Sequence, residues 1–237
     1  MMNYGCRIKF GIKSLLLDRT ILVKKFGNLD DTVHSNAAGM DKKEVQMDYL
    51  VWEVDPTGGY CALKYLGNVT DEYELKRGIS RAKGFPSDAC FHMDDSHPKD
   101  VKLADNVYNL DRMLVVSKQL KEFVESKKPK LTEFLPVTIY NHKGKIASRD
   151  YFIINPFNIQ DCIDKEKSKI RWNKIDPELI SSCFKLVIIP DKIDDSLVLF
   201  RPKNMPTIVM VREDLTKAIS NEGFTGIRFR ETDEFEL

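Results

Sequence analysis

No stretch of this chain is apolar for long. Its hydrophobic runs stop at about five residues, against the roughly 20 that a membrane-crossing helix needs. The one leader-like stretch, SLLLDRTILV, is broken by Asp18 and Arg19, which spoil the apolar centre of a secretory signal. Cysteine is sparse and unpatterned. Cys6, Cys61, Cys90, Cys162 and Cys183 are odd in number, with no CxxC among them. A disulfide framework is therefore excluded as the organising device, and each thiol reads as a small buried hydrophobe in a reducing compartment. The expectation is a cytoplasmic protein. An excess of one charge is missing too: 37 basic side chains against 36 acidic leave a net charge of +1. A nonspecific nucleic-acid binder draws most of its affinity from neutralising phosphates, and this balance does not supply that overall.

The motifs of common chemistries are also absent. There is no GxxxxGK[ST] and no GxGxxG to cradle a phosphate, and no GxSxG to hold a nucleophilic serine. Carboxylate pairs occur at Asp30/Asp31, Asp94/Asp95, Asp194/Asp195 and Asp233/Glu234. They lie in polar turns or at the terminus, whereas acid–base work needs two carboxyls in unequal, partly buried settings. Two segments carry some chemical interest. Cys90, His92 and His97 are zinc-ligand types in one loop, with Asp94 and Asp95 between them. Their spacing matches no standard zinc pattern and offers no fourth ligand. In KEKSKIRWNK, Lys165, Lys167, Lys169, Arg171 and Lys174 surround Trp172, the composition of a weak single-strand site. As a strand it puts Lys165, Lys167, Lys169 and Arg171 on one face, which any half-buried strand also does. A metal-dependent enzyme and a nucleic-acid-binding regulator are thus the two rival readings. No catalytic residue, metal or cofactor is expected.

What is present is a scaffold. The chain has 237 residues, 42% of them hydrophobic and 31% charged, enough for one large domain or two small ones with a real core. Residues 1–46 are weakly patterned and read as an N-terminal extension or a mis-assigned leader. Lys42-Lys43-Glu44-Val45 can be encoded by a purine-rich ribosome-binding sequence just ahead of Met47. From Met47 onward the pattern is α+β, with a mixed, mainly antiparallel sheet and a few short helices. YLVWEV, YCALKYL, DACFHM, YFIIN, CFKLVIIP and SLVLFRP read as strands, and FNIQDCI as a helical turn.

The clearest feature is a repeated strand–helix–strand unit. Val115 and Val116 suit a strand, Ser117 suits an N-cap, and Leu120, Phe123 and Val124 share a helix face. Pro129 ends that helix, and Pro136 marks the return strand LTEFLPVTIY as an edge or a bulge. At an offset of 95 residues, as from Ser117 to Arg212, the stretch IVMVREDLTKAISNEGFTGIRFRE repeats the apolar spacing with Leu215, Ala218 and Ile219. Gly223 closes its helix as a left-handed cap, and Arg212 stands where the serine cap stood. The duplication predicts similar halves at about 47–145 and 146–237.

MLVVSKQLKEFVES, RDYFIINPFNIQDCIDKEKSKI and the terminal IVMVREDLTKAISNEGFTGIRFRE together resemble a bacterial immunity-protein family of polymorphic toxin systems, immunity protein eleven. The matching features are the helix led by Ser117, the strand Tyr151–Asn155, the turn with Asp161 and Asp164, and the motif from Leu215 to Phe229. The resemblance covers about residues 48–231. Arg212 at the cap and the first 46 residues depart from it. It implies a protein that binds and neutralises a cognate toxin, with no catalytic residues to transfer. A nuclease toxin would present a basic surface, and acids here would steer the encounter. The residues expected to serve are Asp194, Asp195, Glu231, Asp233, Glu234 and Glu236.

Overall fold

A computed structural model describes residues 48–237. The readings of the first 46 residues and of Met47 lie outside the described residues. Strand β1 is Tyr49–Val54, helix α1 Tyr73–Lys76, β2 Cys90–His92, β3 Asn106–Val107 and β4 Leu114–Ser117. Helix α2 is Lys118–Ser126, β5 Thr132–Tyr140, β6 Ile146–Pro156, β7 Ile159–Gln160, β8 Lys169–Trp172 and β9 Ile180–Lys185. Then come β10 Leu199–Pro202, β11 Met210–Arg212, helix α3 Glu213–Asn221 and β12 Ile227–Arg230. One sheet has the order β2-β5-β6-β4-β3, a second β12-β1-β11-β10-β7, and β8-β9 form a hairpin. Among the described strands, only β2–β5 and β7–β10 pair in parallel. The fold is α+β, as the sequence predicts.

The two strand–helix–strand segments have matching neighbours in their sheets. In the first sheet β4 and β5 flank β6 and run antiparallel to it. In the second, β11 and β12 flank β1 in the same way. An outer strand joins antiparallel in each case, β3 on β4 and β10 on β11. The central strand differs in origin: β6 follows β5 directly, whereas β1 comes from the start of the described chain.

The 95-residue offset is visible in the packing. Leu114, Val116, Leu120 and Val124 share one buried cluster with Val209, Val211, Leu215 and Ile219. This cluster is the layer between the two sheets, filled by both helices. Val115 faces away from it into a cluster with Leu63, Phe91 and Met93. Its counterpart Met210 faces a separate cluster with Cys162, Cys183 and Leu186. Alternation along β4 and β11 thus feeds an inner core and an outer one on each sheet. The Ser117 hydroxyl accepts from the Leu120 N–H at 3.3 Å and caps α2. Arg212 gives α3 no such bond. Its guanidinium instead reaches Asp214 in the first turn, at 2.8 and 2.9 Å. Gly223 has φ +72°, the left-handed cap its position calls for.

Two local expectations are corrected, and a third, at Pro136, is met locally. YCALKYL is extended but not a strand, because its amides go to unrelated partners: Cys61 N–H to Lys102, Leu63 N–H to Tyr108 and Lys64 N–H to His92. It covers the outer face of the first sheet, burying Cys61 and Leu63, so the period of two reflects burial without a ladder. FNIQDCI is not a helical turn. Ile159 and Gln160 pair in parallel with Arg201 and Pro202, tertiary pairing overriding a weak local preference. Pro136 lies in a strand with neighbours on both sides, yet β2 joins only from Thr138, and the pairing with β6 turns irregular after Val137. The proline is tolerated because its own stretch of β5 is a local edge.

Asp105 ties the two units together. Its carboxylate accepts from the Thr225 N–H at 2.9 Å, the Thr225 hydroxyl at 2.8 Å and the Ser117 hydroxyl at 2.8 Å. Burial alone raises the carboxyl, but these three donors outweigh it and hold Asp105 below the usual carboxylate range. A pKa depressed by folding adds stability above the unfolded value, and that stability is lost as pH falls through the folded one. Asp105→Asn should therefore be less stable than the native chain at neutral pH. The gap should close below the ordinary aspartate pKa of about 4. Urea unfolding at a series of pH values checks this, and a gap independent of pH would overturn it.

Candidate functional site

The Cys90/His92/His97 loop does not gather its three side chains. Cys90 is buried against Gly67 and Asn68, and burial raises its thiol. His92 is exposed and stacks on Tyr140 at 5.0 Å. It lines a cleft with His142, which the sequence reading missed, and with Asp95 and Lys64. Asp95 is engaged by the Lys64 ammonium, and Asp94 by the Ser96 amide. Both carboxyls sit below the usual range, Asp94 chiefly through that amide and Asp95 chiefly through Lys64. Two ionised acids, Asp94 half-buried and Asp95 exposed, do not make an acid–base pair. Among the described residues, no three His, Cys, Asp or Glu are grouped to hold a metal ion. Cys61, Cys90, Cys162 and Cys183 are all free and buried. Burial pushes Cys61 up to about 11 and Cys162 up to about 12, the state of inert structural thiols.

The six acids fall into two groups. Asp194 and Asp195 lie beside the start of α3. The Asp194 carboxylate accepts from the hydroxyl and amide of Ser196, which hold it below its ordinary range. The Asp195 carbonyl accepts from Arg212 at 2.8 Å. Asp195 and Asp214 flank that arginine, which faces Tyr49 across β11–β1, and Asp194 lies near the same tyrosine. Glu231, Asp233, Glu234 and Glu236 follow β12 in a short 3-10 turn and tail. Phe235 is buried among them, and Leu237 exchanges two backbone bonds with Cys183, at 2.8 and 3.0 Å. The tail is thereby strapped along β9.

On the other side of β9 lies the basic segment. Only Lys169–Trp172 is strand, so Lys165 and Lys167 are turn residues and not part of one lysine face. Asp164 organises that turn, accepting from the amides of Glu166 and Lys167. The pairing of β8 with β9 sets Lys169 opposite Lys185, Ile170 opposite Cys183 and Arg171 opposite Ser182. Two irregularities interrupt it, leaving Ser181 and Phe184 unpaired. Such bulges re-aim side chains. Here Phe184 turns outward beneath the Arg171 guanidinium, 5.0 Å from its ring centre, and the Lys165 ammonium lies 5.6 Å from Trp172. The sequence names the cations and Trp172. It hides Phe184 and Lys185, because only the bulged register brings them across.

A cleft of about 380 Å³ lies where the C-terminal tail meets β1, lined by Trp52, Arg112, Met113, Arg228 and Leu237 among others. Glu53 on its wall is held by Arg228 at 3.0 Å and by Arg230 at 2.9 Å. No nucleophile–base pair stands in it. The chain belongs to the immunity protein family Imm11, whose pattern matches residues 64–234. Comparison with curated proteins gives no match. Among the described residues, no helix is long and apolar enough to cross a membrane.

Proposed function

We propose that this chain binds and neutralises a cognate bacterial toxin by protein–protein contact, in the cytoplasm of the cell that makes it, with no catalysis of its own. Membership of the immunity family over residues 64–234 is the observation that carries this reading. The toxin would belong to a polymorphic system deployed against competitors. Tight neutralisation uses an interface of roughly 1,600 Å² with a few buried anchors. The acids Asp194, Asp195, Glu231, Asp233, Glu234 and Glu236 are proposed as contacts that steer a basic toxin surface.

The test is to express the toxin gene that neighbours this one, with and without this chain. The expected result is that the chain rescues growth and co-purifies with the toxin. Growth arrest in its presence would defeat the proposal. Changing all six acids to serine should slow association and make it less sensitive to salt, and unchanged kinetics would remove them from the interface.

A further inference from the structure

The outer face of the β8–β9 hairpin is built at a cost to the hairpin itself. Lys169 and Lys185 stand directly across from each other, a like-charged pair that destabilises a two-stranded sheet. Among the described residues, no ion pair neutralises Lys165, Lys169, Arg171, Lys174 or Lys185. Of the acids in this segment, Asp164 is engaged with Lys167 and Asp176 with Arg77, which leaves the exposed Glu166 and Glu178 without an ion pair beside the cations. Trp172 and Phe184 are exposed among these cations.

The tip is more pointed still. Ile175 is 95% exposed on the loop joining the strands. That loop is fixed: the Asn173 side chain accepts from the amides of Ile175 at 2.8 Å and Asp176 at 3.2 Å. The Asn173 N–H closes it on the Leu179 carbonyl at 2.8 Å. The Ser181 hydroxyl clasps the carbonyls of Arg171 and Trp172 across the hairpin. An isolated aliphatic side chain held out on a rigid loop is an anchor already in its bound shape, so little ordering entropy remains to be lost.

We infer that this hairpin is a docking element for a protein partner that offers an apolar pocket for Ile175, rimmed by aspartate and glutamate that meet Lys169, Arg171 and Lys185. The inference rests on the toxin-binding reading and locates a second contact surface beside the acidic tail. Nucleic acid fits less well. Single strands stack their bases on open aromatic faces, and here Lys165 already covers Trp172 and Arg171 covers Phe184. An exposed isoleucine has no counterpart on a phosphate backbone, and the chain carries a net charge of only +1.

The experiment measures binding of the full chain to the product of the neighbouring toxin gene. Lys169→Glu/Arg171→Glu/Ile175→Asp should weaken Kd about 100-fold, the scale of a lost anchor with its charged rim. Lys185→Glu is the discriminating variant. It places an acid opposite Lys169, so its Tm should match or exceed that of the native chain while its Kd weakens about tenfold. A merely structural role would move both the same way. If the native chain neutralises the toxin and these variants bind as tightly, the hairpin inference falls and the function stands. If the native chain does not bind the toxin at all, both fall. If it binds single-stranded oligothymidylate and the same variants lose that binding, the occupant is nucleic acid and the inference is overturned.

Discussion

Arg201→Met is expected to lower the unfolding free energy by about 3 kcal/mol, the scale of several donors removed from a buried network. Arg201 is buried on β10, and among the described residues it makes no ion pair. Burial alone pushes its guanidinium down to about 10, so it stays charged at neutral pH. It is held by donation: Nε to the Pro156 carbonyl at 3.0 Å, Nη1 to Pro206 at 2.7 Å and Nη2 to the Asn155 side chain at 3.5 Å. Asn155 passes the contact on, donating to Glu133 at 2.7 Å and to the Ile79 carbonyl at 2.9 Å. Glu133 also accepts from the Ser80 hydroxyl and the amides of Arg81 and Ala82. The network therefore joins the two sheets through a cation and an anion bridged by an amide. Methionine keeps much of the stem volume but leaves two backbone carbonyls unpaired. Removing a charge from the interior recovers part of that loss, which is why the figure is not larger. For a chain of this size the Tm should drop by roughly 6–12 °C. Because Glu133 loses its distant counter-charge, adding Glu133→Gln to Arg201→Met should cost about 1 kcal/mol less than adding it to the native chain. Strictly additive losses would show that the bridge carries no coupling.

None of this network is legible in the sequence, and the reason is physical. Periodicity reports which faces are apolar, and it locates Leu120, Val124, Leu215 and Ile219 on facing helices. Local chemistry reports caps and stops, and it places Ser117 and Gly223. Neither reports pairing between distant segments. The strand YLVWEV is legible as a strand, but its place between β11 and β12 is not, since its partners lie about 160 to 180 residues on. The same limit separates Phe184 and Lys185 from the basic segment they face, because bulges fix that register. It also accounts for FNIQDCI, whose conformation is set by Arg201 and Pro202. Of the candidate site, the residue types are legible, and the grouping of six acids into two surfaces is not.

Gly226→Ala should be a severely destabilising single substitution in the terminal motif, and the motif's own residues do not reveal why. Gly226 has φ +74°, where an L side chain is strained by about 1–2 kcal/mol. Lack of space costs more than this strain. A Cβ there would lie 2.2 Å from the Asn106 carbonyl oxygen and 2.7 Å from the Ala104 Cβ. Neither can swing aside, for the oxygen belongs to β3, and the Asn106 amide is itself bonded to the Thr225 carbonyl at 3.0 Å. The Gly226 carbonyl also accepts from Asp55 at 3.0 Å, so the turn cannot shift without releasing β1. Forcing atoms into a packed contact costs a further 1–3 kcal/mol or so. The total of roughly 2–5 kcal/mol is a large part of the 5–15 kcal/mol that usually holds a domain together. Gly223→Ala is the internal control. Its φ of +72° is nearly the same, but nothing lies within 4 Å of the added carbon, so only the backbone penalty of about 1–2 kcal/mol applies. Thermal unfolding of the two variants should separate them by several degrees, Gly226→Ala lower. Equal melting points would mean that conformation, and not the close approach of the first sheet's edge strand, is what the glycine serves.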